Sequence, residues 1–583
     1  MAIVYKQDVL VIGHGLAGIT SALKMKEVNP DLDILLVDKA STGFAGKANK
    51  GACILIDVAP DAAPEDVVKW HVERTGEYLN NQDAFLKFIR GLNNVIKHFE
   101  KWGVVITREE DGTVRYIPNF PAPWKQTGIE CDFLVKMSNL AKRQGCKFLD
   151  KISVTDLVVE DNKVQGAVGF SLLDGEQYIF EAPVVILANG NQDYRAIPMW
   201  NSARGDGIAA AWRAGAEMRN GEFGTFRQIM NCDQPGEITT IEDFVYNAKG
   251  EYLSPIYRPW LRDPENIKKY SGTMIHDETA QIFAGMYKEV LAGNGPIYAS
   301  QAQNQLIPRF GRYIMDTEFW ARPKWKRFRM ANIVNGKTAN ARQDENGLIP
   351  VTAAFIGEQS PVKVDEYMKT TIEGIWAAGD ICYNGSGIPG AVPAPPARLR
   401  GSGLAFAVHS GLVAGEAAAV SAPSIEHKEI NMQKAEALLA EVFAPYEREE
   451  GIDPNEIVSG IRKIMTQIKY TLYMEKSRLE EGLQLVLAEK AKLDKMATKD
   501  FHYLAVANEA RSFVVCAEMH FRTAILRKES RGWFMREDYP ERDDANWLKY
   551  INFKQGSDDT YDIWTEDVPI GKYPYKPEEE VAK

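Results

Sequence analysis

An α/β fold that begins with a parallel sheet is predicted by the first forty residues of this 583-residue chain. The apolar run Val9–Ile12 leads into a glycine-rich turn, Gly13–Gly18, with the sequence GHGLAG. An apolar helical pattern follows, and a second apolar run, Ile34–Val37, ends in Asp38. A strand, a glycine turn, a helix, a second strand and a terminal acid, in this order, are typical of a βαβ unit that binds a dinucleotide.

The glycines and the acid of this unit each have a physical task. Gly13 permits a tight turn, Gly15 lets the backbone approach a pyrophosphate, and Gly18 lets the helix pack on the strand. Residues 16–17, Leu16 and Ala17, open the helix, whose free N–H groups and positive dipole end attract phosphates. Asp38 follows the last glycine by about 20 residues, the spacing of an acid that accepts a hydrogen bond from a ribose hydroxyl. A dinucleotide site is therefore predicted, and the unit alone allows either FAD or NAD.

Composition narrows the class of protein. The net charge of −11 and a pI near 5.5 argue against general nucleic-acid binding. No apolar run approaches the roughly 20 residues that span a bilayer, and Leu404–Val420 is interpreted as a buried helix because His409 and Glu416 interrupt it. The first strand begins close to the N-terminus, which leaves no room for a signal peptide. We therefore expect a cytoplasmic protein without a transmembrane segment.

The six cysteines lie far apart in the sequence, and no two have CxxC spacing. The sequence therefore encodes no local iron–sulfur cluster or zinc site, and we predict no metal site. Reduced thiols in the core are expected instead of a disulfide framework. If electrons have to arrive one at a time, another protein must carry them.

A discontinuous domain organisation is predicted from the order of apolar patterns. Residues 236–350 are aromatic and irregular, as an inserted domain would be, and the α/β pattern returns in Thr370–Asp380, where a short apolar strand ends in Ala-Gly-Asp. The predicted segments are 1–235 (first part of the dinucleotide-binding domain), 236–350 (inserted domain), 351–425 (second part of the dinucleotide-binding domain), 426–530 (helical domain) and 531–583 (extended C-terminal tail).

Four motifs carry a resemblance to a known group of flavoproteins. They are DVLVIGHGLAG (residues 8–18), VVILANGN (184–191), TTIEGIWAAGD (370–380) and ERDDANWLK (541–549). Through these motifs and their order, the chain resembles the flavoprotein subunits of the fumarate reductase, succinate dehydrogenase and adenylylsulfate reductase superfamily. Locally it is most similar to adenylylsulfate reductase alpha subunits, through QGAVGF (165–170), PMWN (198–201) and NGPIY (294–298).

The resemblance implies FAD rather than NAD as the cofactor. It also implies a Rossmann-like FAD-binding domain with an inserted α+β capping domain and a C-terminal helical domain, and its implied partner is a ferredoxin-like iron–sulfur subunit. The turn at Gly379-Asp380 is expected at the ribityl and phosphate end of the flavin. The cofactor-binding residues that the βαβ unit and the resemblance together predict are Gly13, Gly15, Leu16, Ala17, Gly18, Asp38, Lys39, Lys47, Ala48, Asn49, Gly51, Ala188, Asn189, Gly190, Gly379, Asp380, Ser402 and Leu404.

The small-residue loop after Asp38 bears on how the cofactor is held. Its two lysines, Lys47 and Lys50, could neutralise cofactor phosphates or an anionic substrate, and a solvated loop explains either lysine equally well. Family members with covalent FAD carry a histidine in this loop. A short ungapped comparison places Phe44 at that position, and no histidine lies between His14 and His71. We therefore predict non-covalent FAD.

The candidate catalytic residues also follow from the resemblance. His276, in MIHDE, stands where fumarate reductases carry a proton-donating arginine, and a histidine can donate a proton near neutral pH. Arg398 matches the family's substrate-anchoring arginine, and Arg400 adds a second charge to this anion clamp. Arg227 is matched more loosely to a substrate-binding arginine of adenylylsulfate reductases. The catalytic histidine of those enzymes is replaced by Gln359.

We expect a catalytic subunit that moves two electrons between FAD and a small anionic substrate. The substrate is either a sulfur compound, as for adenylylsulfate reductase, or an enoate, as for fumarate reductase. A third hypothesis is a non-catalytic electron-transfer flavoprotein of a larger complex. The arginine pair at positions 398 and 400 argues against the third hypothesis, because electron transfer alone needs no anion clamp.

Overall fold

The computed structural model describes residues 2–50, 53–74, 76–116, 123–196, 203–225, 227–232, 245–257, 262–263, 279–300, 348–355, 357–383, 402–557 and 560–578. Four predicted site residues, Gly51, His276, Arg398 and Arg400, lie outside these described residues.

The described elements up to residue 300 begin with alternating strands and helices. The strands are β1 (Ile3–Lys6), β2 (Val9–Ile12), β3 (Ile34–Asp38), β4 (Ile54–Val58), β5 (Trp124–Gly128), β6 (Lys147–Asp150), β7 (Ile152–Glu160), β8 (Lys163–Ser171), β9 (Gln177–Glu181), β10 (Val184–Leu187), β11 (Met218–Arg219), β12 (Arg227–Asn231), β13 (Val245–Tyr246) and β14 (Ile297–Ser300). The helices are α1 (Leu16–Val28), α2 (Pro64–Arg74), α3 (Gln82–Arg90), α4 (Leu92–Lys101), α5 (Phe133–Arg143), α6 (Asp206–Arg213), α7 (Ser254–Tyr257) and α8 (Thr279–Leu291).

From residue 348 onward, short strands precede and follow a long helical region. The strands are β15 (Leu348–Phe355), β16 (Val362–Lys363), β17 (Ile375–Ala377), β18 (Cys382–Tyr383), β19 (Tyr473–Met474), β20 (Met535–Arg536), β21 (Lys549–Gln555) and β22 (Tyr561–Asp567). The helices are α9 (Ser402–Ser421), α10 (Met432–Glu447), α11 (Pro454–Met465), α12 (Ile468–Thr471), α13 (Lys476–Lys490), α14 (Phe501–Leu526) and α15 (Asp544–Trp547).

A five-stranded sheet with the order β17-β10-β2-β3-β6 contains the opening βαβ unit. All its strands are parallel, with Val9 opposite both Ile34 and Val184, and Val185 opposite Ile375. Because helices cover both faces of such a sheet, its inner strands β2, β3 and β10 are apolar runs, and β2 and β10 are fully buried. The predicted α/β class is confirmed. The carboxyl ends of β2, β10 and β17 meet at one edge of this sheet, called the carboxyl edge below.

The described residues form five further sheets. Strands β7, β8 and β9 form an antiparallel meander, and β1 pairs with β9 in parallel. The antiparallel sheet β12-β15-β14-β13 has its own core, with Ile229, Phe283 and Ile349, and Trp533 of the C-terminal region joins that core. Strand β12 lies before the predicted 236–350 segment and β15 extends past its end, and the domain boundaries remain predictions.

The expectation of an extended tail after residue 531 is wrong. Strands β21 and β22 form a hairpin, and β21 pairs with β11, where Met218 lies opposite Phe553. Phe553 is fully buried. The segment instead contains a strand pair in which residues 550–553 are buried, and the strand that pairs with it lies more than 300 residues earlier in the chain.

Helix α9 is mostly apolar and packs against α1. A Cβ on Gly411 would lie 2.8 Å from the carbonyl oxygen of Ala17, and one on Gly415 would lie 2.5 Å from that of Ser21. Within the described ranges, the segment Ser402–Ser424 alone is long and apolar enough to cross a membrane, and 67% of its apolar 18-residue stretch is buried inside the protein. Its glycines and its burial are those of a core helix.

Candidate functional site

In the glycine turn between β2 and α1, packing leaves no room for a side chain at Gly13 or Gly18, whereas there is space beside Gly15. A Cβ on Gly13, whose φ is +98°, would lie 2.5 Å from the carbonyl oxygen of Ala188. A Cβ on Gly18 would lie 1.9 Å from the carbonyl oxygen of Gly13. Among the described atoms, a Cβ on Gly15 would contact the Cα of Gly46 at 3.8 Å and nothing closer. Gly15 therefore leaves the start of α1 open to a ligand that carries phosphate.

Asp38 is held at the end of β3 by backbone donors. Its carboxylate accepts hydrogen bonds from the backbone N–H groups of His14 and Ala40, both at 2.8 Å. The side chain is 17% exposed. A carboxylate has about four acceptor sites, so this fixed group can also accept a hydrogen bond from a ligand hydroxyl.

His14 connects this acid to the neighbouring strand β6. The imidazole is fully buried, with Nε2 3.1 Å from Asp150 Oδ1 and Nδ1 3.8 Å from Asp38 Oδ2. Asp150 also accepts hydrogen bonds from the backbone N–H and the hydroxyl of Thr42. Burial alone would raise the pKa of Asp150, but the hydrogen bonds from Thr42 and the nearby His14 lower it. The sequence motif predicts no role for His14, although a large side chain in a turn of small residues is a signal of one.

Lys39, the residue after the acid, is bound by protein carboxylates. Its ammonium forms an ion pair with Asp206 at the start of α6 and lies 4.0 Å from Glu509 Oε1 on α14. Burial alone would lower the pKa of Lys39, but the two carboxylates outweigh it and raise the pKa. Lys39 is therefore charged at neutral pH, and its contact with FAD stays a prediction.

Some of the buried polar atoms that lack hydrogen-bond partners lie at the carboxyl edge. In the described part of the chain they include Lys47 Nζ, Asn189 Oδ1 and both side-chain polar atoms of Asn191. Asn189 and Asn191 follow directly after β10, and Lys47 lies in the loop after β3. An unpaired buried polar atom costs about 1–3 kcal/mol, so this set indicates that a polar ligand binds here.

The Ala-Gly-Asp turn after β17 lies against the start of α1. Gly379 has a φ of +77°, and a Cβ there would lie 2.8 Å from the Cβ of Ala17. The N–H of Gly379 donates to the hydroxyl of Ser410 on α9 at 2.9 Å. Ser402 and Leu404, in the first turn of α9, are buried. The structure thus brings the predicted residues of three chain segments to one edge, where the open helix start and the unpaired polar atoms fit a phosphate-bearing dinucleotide.

Arg227 lies inside the protein at the start of β12. Its guanidinium donates to the carbonyl oxygens of Ala353 and Thr466, at 3.0 and 3.1 Å, and to the hydroxyl of Thr471 at 2.7 Å. Its Nε has no hydrogen-bond partner, and no carboxylate among the described residues pairs with it. Burial lowers the pKa of Arg227 to about 9, so it stays charged at neutral pH. The side chain joins the β12 sheet to the helical region, and its substrate role stays a prediction.

Gln359, at the position compared with a catalytic histidine, is fixed by the fold. Its carbonyl oxygen accepts from the Tyr194 hydroxyl at 2.7 Å, and its amide donates to the carbonyl oxygens of Gly221 and Cys516, at 3.2 and 2.9 Å. The side chain is 2% exposed. Because its polar atoms are all engaged by the protein, Gln359 does not present an acid or base to a substrate.

Within the described ranges, no group of three or more His, Cys, Asp or Glu side chains could hold a metal ion. Five of the six cysteines are buried, and Cys232 is exposed. Burial raises the pKa of the Cys146 thiol to about 11, so this thiol is uncharged at neutral pH.

Comparisons with known proteins agree with this geometry. Residues 8–227 match the family model of the FAD binding domain, and residues 460–582 match that of the fumarate reductase flavoprotein C-terminus. The chain is 25% identical to one subunit of the fumarate reductase (CoM/CoB) of Methanothermobacter marburgensis, over 92% of this chain and 95% of that protein. FAD is therefore the cofactor, as the resemblance implied.

Two solved structures have the same fold at lower identity. The FrdA protein of E. coli quinol fumarate reductase superposes with a TM-score of 0.79 at 20% identity, over 98% of each chain. The adenylylsulfate reductase of Archaeoglobus fulgidus superposes with a TM-score of 0.74 at 20% identity, over 97% of this chain and 96% of that one. The whole chain, including the C-terminal hairpin, thus lies within one known architecture.

Proposed function

The chain belongs to the superfamily of FAD-containing flavoprotein subunits that includes fumarate reductase, succinate dehydrogenase and adenylylsulfate reductase, and from this premise we propose that it is the catalytic subunit of a reductase acting on a small anionic enoate. The observation that carries the proposal is the carboxyl edge, where Gly15, Lys47 and Asn191 leave an FAD site open. FAD supplies two-electron transfer to and from the substrate.

The chain's own residues have three tasks in this proposal. Asp38 holds the adenosine ribose, and the start of α1 holds the pyrophosphate, which together fix the cofactor. Arg398 and Arg400 bind the acidic group of the substrate, because paired guanidinium groups match a carboxylate in geometry and charge. His276 donates the proton that completes the reduction. An inserted capping domain that closes over the site would exclude water.

An enoate is preferred to a sulfur compound for two reasons. The C-terminal family model and the Methanothermobacter relative both carry the name fumarate reductase. Gln359, which replaces the histidine of adenylylsulfate reductases, is bound on all sides by Tyr194, Gly221 and Cys516 and cannot take over acid–base chemistry. A non-catalytic electron-transfer flavoprotein would need neither the arginine pair nor His276.

We also propose an electron-carrying partner and a cytoplasmic location. The sequence has no CxxC motif, so single electrons would enter through a separate ferredoxin-like iron–sulfur subunit. The name of the relative from Methanothermobacter likewise describes it as part of a multi-subunit enzyme. The cytoplasmic location is proposed from the core packing of α9, the segment of the described ranges that is apolar enough to cross a membrane.

The proposal is tested by reoxidation of the reduced flavin. The protein is purified with whatever co-purifies, its flavin is reduced, and fumarate, other enoates, adenylylsulfate and sulfite are added in turn. We expect reoxidation by at least one enoate and by neither sulfur compound. Reoxidation by none of them would contradict the reductase proposal, and reoxidation by adenylylsulfate or sulfite alone would replace the enoate by a sulfur compound.

Matched variants identify the anion clamp in the same assay. Arg398→Met should slow reoxidation by about 10- to 100-fold, the value of a lost charge-assisted hydrogen bond. Lys463→Met, an equal charge change at an exposed position of α11, should leave the rate unchanged. Equal rates for both variants and the parent would remove Arg398 from the site.

Non-covalent attachment of FAD has a separate test. Phe44, at the position of the family's linking histidine, is 54% exposed and has no nitrogen that could bond to a flavin. After acid precipitation we expect the flavin in the supernatant. Flavin that stays with the pellet would contradict the proposal.

A further inference from the structure

One lysine of the loop after β3, Lys47, lies next to the glycine turn. Gly46 lies against Gly15, since a Cβ built on Gly46 would be 3.5 Å from the Cα of Gly15. Lys47 is the next residue, and its side chain is 13% exposed. Its Nζ is completely buried and, among the described residues, has no hydrogen-bond partner. A buried ammonium without hydrogen bonds is costly, so Lys47 needs an anionic or polar partner.

The protein carboxylate nearest to Lys47 does not satisfy it. Asp193 Oδ2 lies 3.9 Å from Lys47 Nζ, too far for a hydrogen bond. Asp193 is instead held by the backbone N–H groups of Arg195 and Ala203, at 3.1 and 3.2 Å. It also faces a second cation, because Arg204 Nη1 lies 3.6 Å from Asp193 Oδ1. Asp193 therefore restrains Lys47 without consuming its donors.

These residues belong to a larger buried group of charges, called the edge cluster here. Arg204 Nε lies 3.2 Å from Glu509 Oε1 on α14, and Arg195 pairs with the same carboxylate. The members are the cations Lys39, Lys47, Arg195 and Arg204 and the carboxylates Asp193, Asp206 and Glu509. Among the residues that the structure describes, four cations and three carboxylates leave one excess positive charge, and Lys47 is the cation of this group without a hydrogen bond. The cluster is thus built to receive an anion.

Two parts of FAD are candidates for that anion, and position decides between them. Residue 46 lies on Gly15, the glycine whose missing side chain admits a pyrophosphate at the start of α1. Lys47 is the next residue in the sequence. The flavin ring, in contrast to the pyrophosphate, carries no full negative charge in its oxidised form. We propose that Lys47 is a ligand of the FAD pyrophosphate and that Asp193 is the positioning residue that directs its ammonium there.

The test compares FAD with ADP, which contains the pyrophosphate but no flavin. The full-length chain is freed of flavin, and both ligands are titrated calorimetrically, with rebinding of FAD by the parent chain as the reference. Lys47→Met should weaken FAD and ADP alike by tenfold or more, the value of a hydrogen bond to a charged group. Lys47→Arg should restore most of the affinity. Lys24→Met, the same charge change on α1 where Lys24 pairs with Glu416, should change neither.

Two results would overturn the assignment of Lys47. FAD affinity that falls while ADP affinity is unchanged would place Lys47 at the flavin, and unchanged affinity for both ligands would remove Lys47 from the site. The inference rests on the proposed function only in taking FAD to be non-covalently bound. The titrations that test it use no substrate. Its failure is therefore distinguishable from failure of the reductase proposal.

Asp193 is tested by a double-mutant cycle. Asp193→Asn alone should weaken ADP binding by a smaller factor than Lys47→Met, and it should add nothing in the Lys47→Met background, because its effect passes through the ammonium. An equal loss in both backgrounds would show that Asp193 acts structurally. If Asp193→Asn fails to fold, Asp193→Glu, which keeps the charge, takes its place in the same cycle with the same two outcomes.

Discussion

Two buried groups of charges in this protein differ in how completely they are paired. In the edge cluster, Lys47 Nζ has no hydrogen bond, and nearby Asn191 has none on either amide atom. In the C-terminal group every charged side chain has a partner of opposite charge within 2.8 Å, although Glu222 Oε2 makes no hydrogen bond: Arg527 lies 2.8 Å from both Glu222 and Glu529, and Arg531 lies 2.7 Å from Glu529, with all four side chains fully buried.

The difference separates a binding role from a structural role. Buried ion pairs that lose one partner leave an uncompensated charge, so the C-terminal group fixes the fold around it. Unpaired buried donors and acceptors are tolerated where a ligand completes them. Substitutions in the C-terminal group should therefore lower stability, and substitutions at the carboxyl edge should lower FAD affinity.

The largest effect is expected from Arg527→Met. It leaves the carboxylates of Glu222 and Glu529 buried, and the free energy of unfolding should fall by about 3–5 kcal/mol. Chemical denaturation followed by circular dichroism measures this loss. The exposed neighbour Lys528→Met is the control and should change stability by less than about 0.5 kcal/mol. Equal stability of both variants would mean that the C-terminal group does not fix the fold.

The pH dependence of the free energy of unfolding tests the same region, through the buried His520 on α14. Burial lowers the pKa of His520 to about 4, against 6.5 for an exposed histidine. At pH values between these two pKa values, His520 is protonated in the unfolded chain and neutral in the folded protein. Stability should therefore fall as the pH drops from 6.5 to 4, by at most about 3 kcal/mol for this residue.

The His520 prediction is checked by denaturation at several pH values. His520→Gln should flatten the acid side of the stability profile, whereas His502→Gln, at an exposed position, should not. Identical acid profiles for both variants would contradict the assignment.

Two glycine substitutions in one turn separate a loss of stability from a loss of FAD affinity. In Gly18→Ala the new Cβ meets the carbonyl oxygen of Gly13 at 1.9 Å, so stability should fall by about 1–3 kcal/mol, as for an overpacked site. In Gly15→Ala the Cβ has 3.8 Å to its nearest described atom, so the protein should stay stable while FAD binds more weakly. Thermal unfolding and FAD titration of both variants provide the check. A Gly15→Ala protein with unchanged FAD affinity would mean that the cofactor does not approach this glycine.

A smaller effect is expected from His14→Ala. Asp38 keeps its backbone donors, but the link from the turn to Asp150 is lost. FAD affinity should fall by about tenfold, the value of roughly 1.4 kcal/mol, and FAD titration measures it. Affinity equal to that of the parent would show that the backbone donors alone position Asp38.

The sequence was most informative where function depends on neighbouring residues. The turn from Gly13 to Gly18, the acid Asp38 and the strand before Asp380 were predicted because glycine turns and apolar strands are local signals. The role of His14 was missed because it depends on Asp150, which lies on a strand 136 residues away.

The errors have the same cause. The segment after residue 531 looked like a tail because its partner β11 comes from residues 218–219, and no local pattern records that pairing. Likewise, Asp193 and Glu509 meet through Arg204, although they lie on different segments of the chain. Charge clusters assembled from distant segments are set by topology, which a single sequence does not display.

The central claim is that the unpaired polar atoms at the carboxyl edge are ligands of FAD. An experimental structure of the FAD-loaded chain tests it most directly. We predict Lys47 Nζ and at least one amide atom of Asn191 within hydrogen-bond distance of the cofactor, about 2.7–3.2 Å. FAD bound with both side chains paired only to protein or water would contradict the claim.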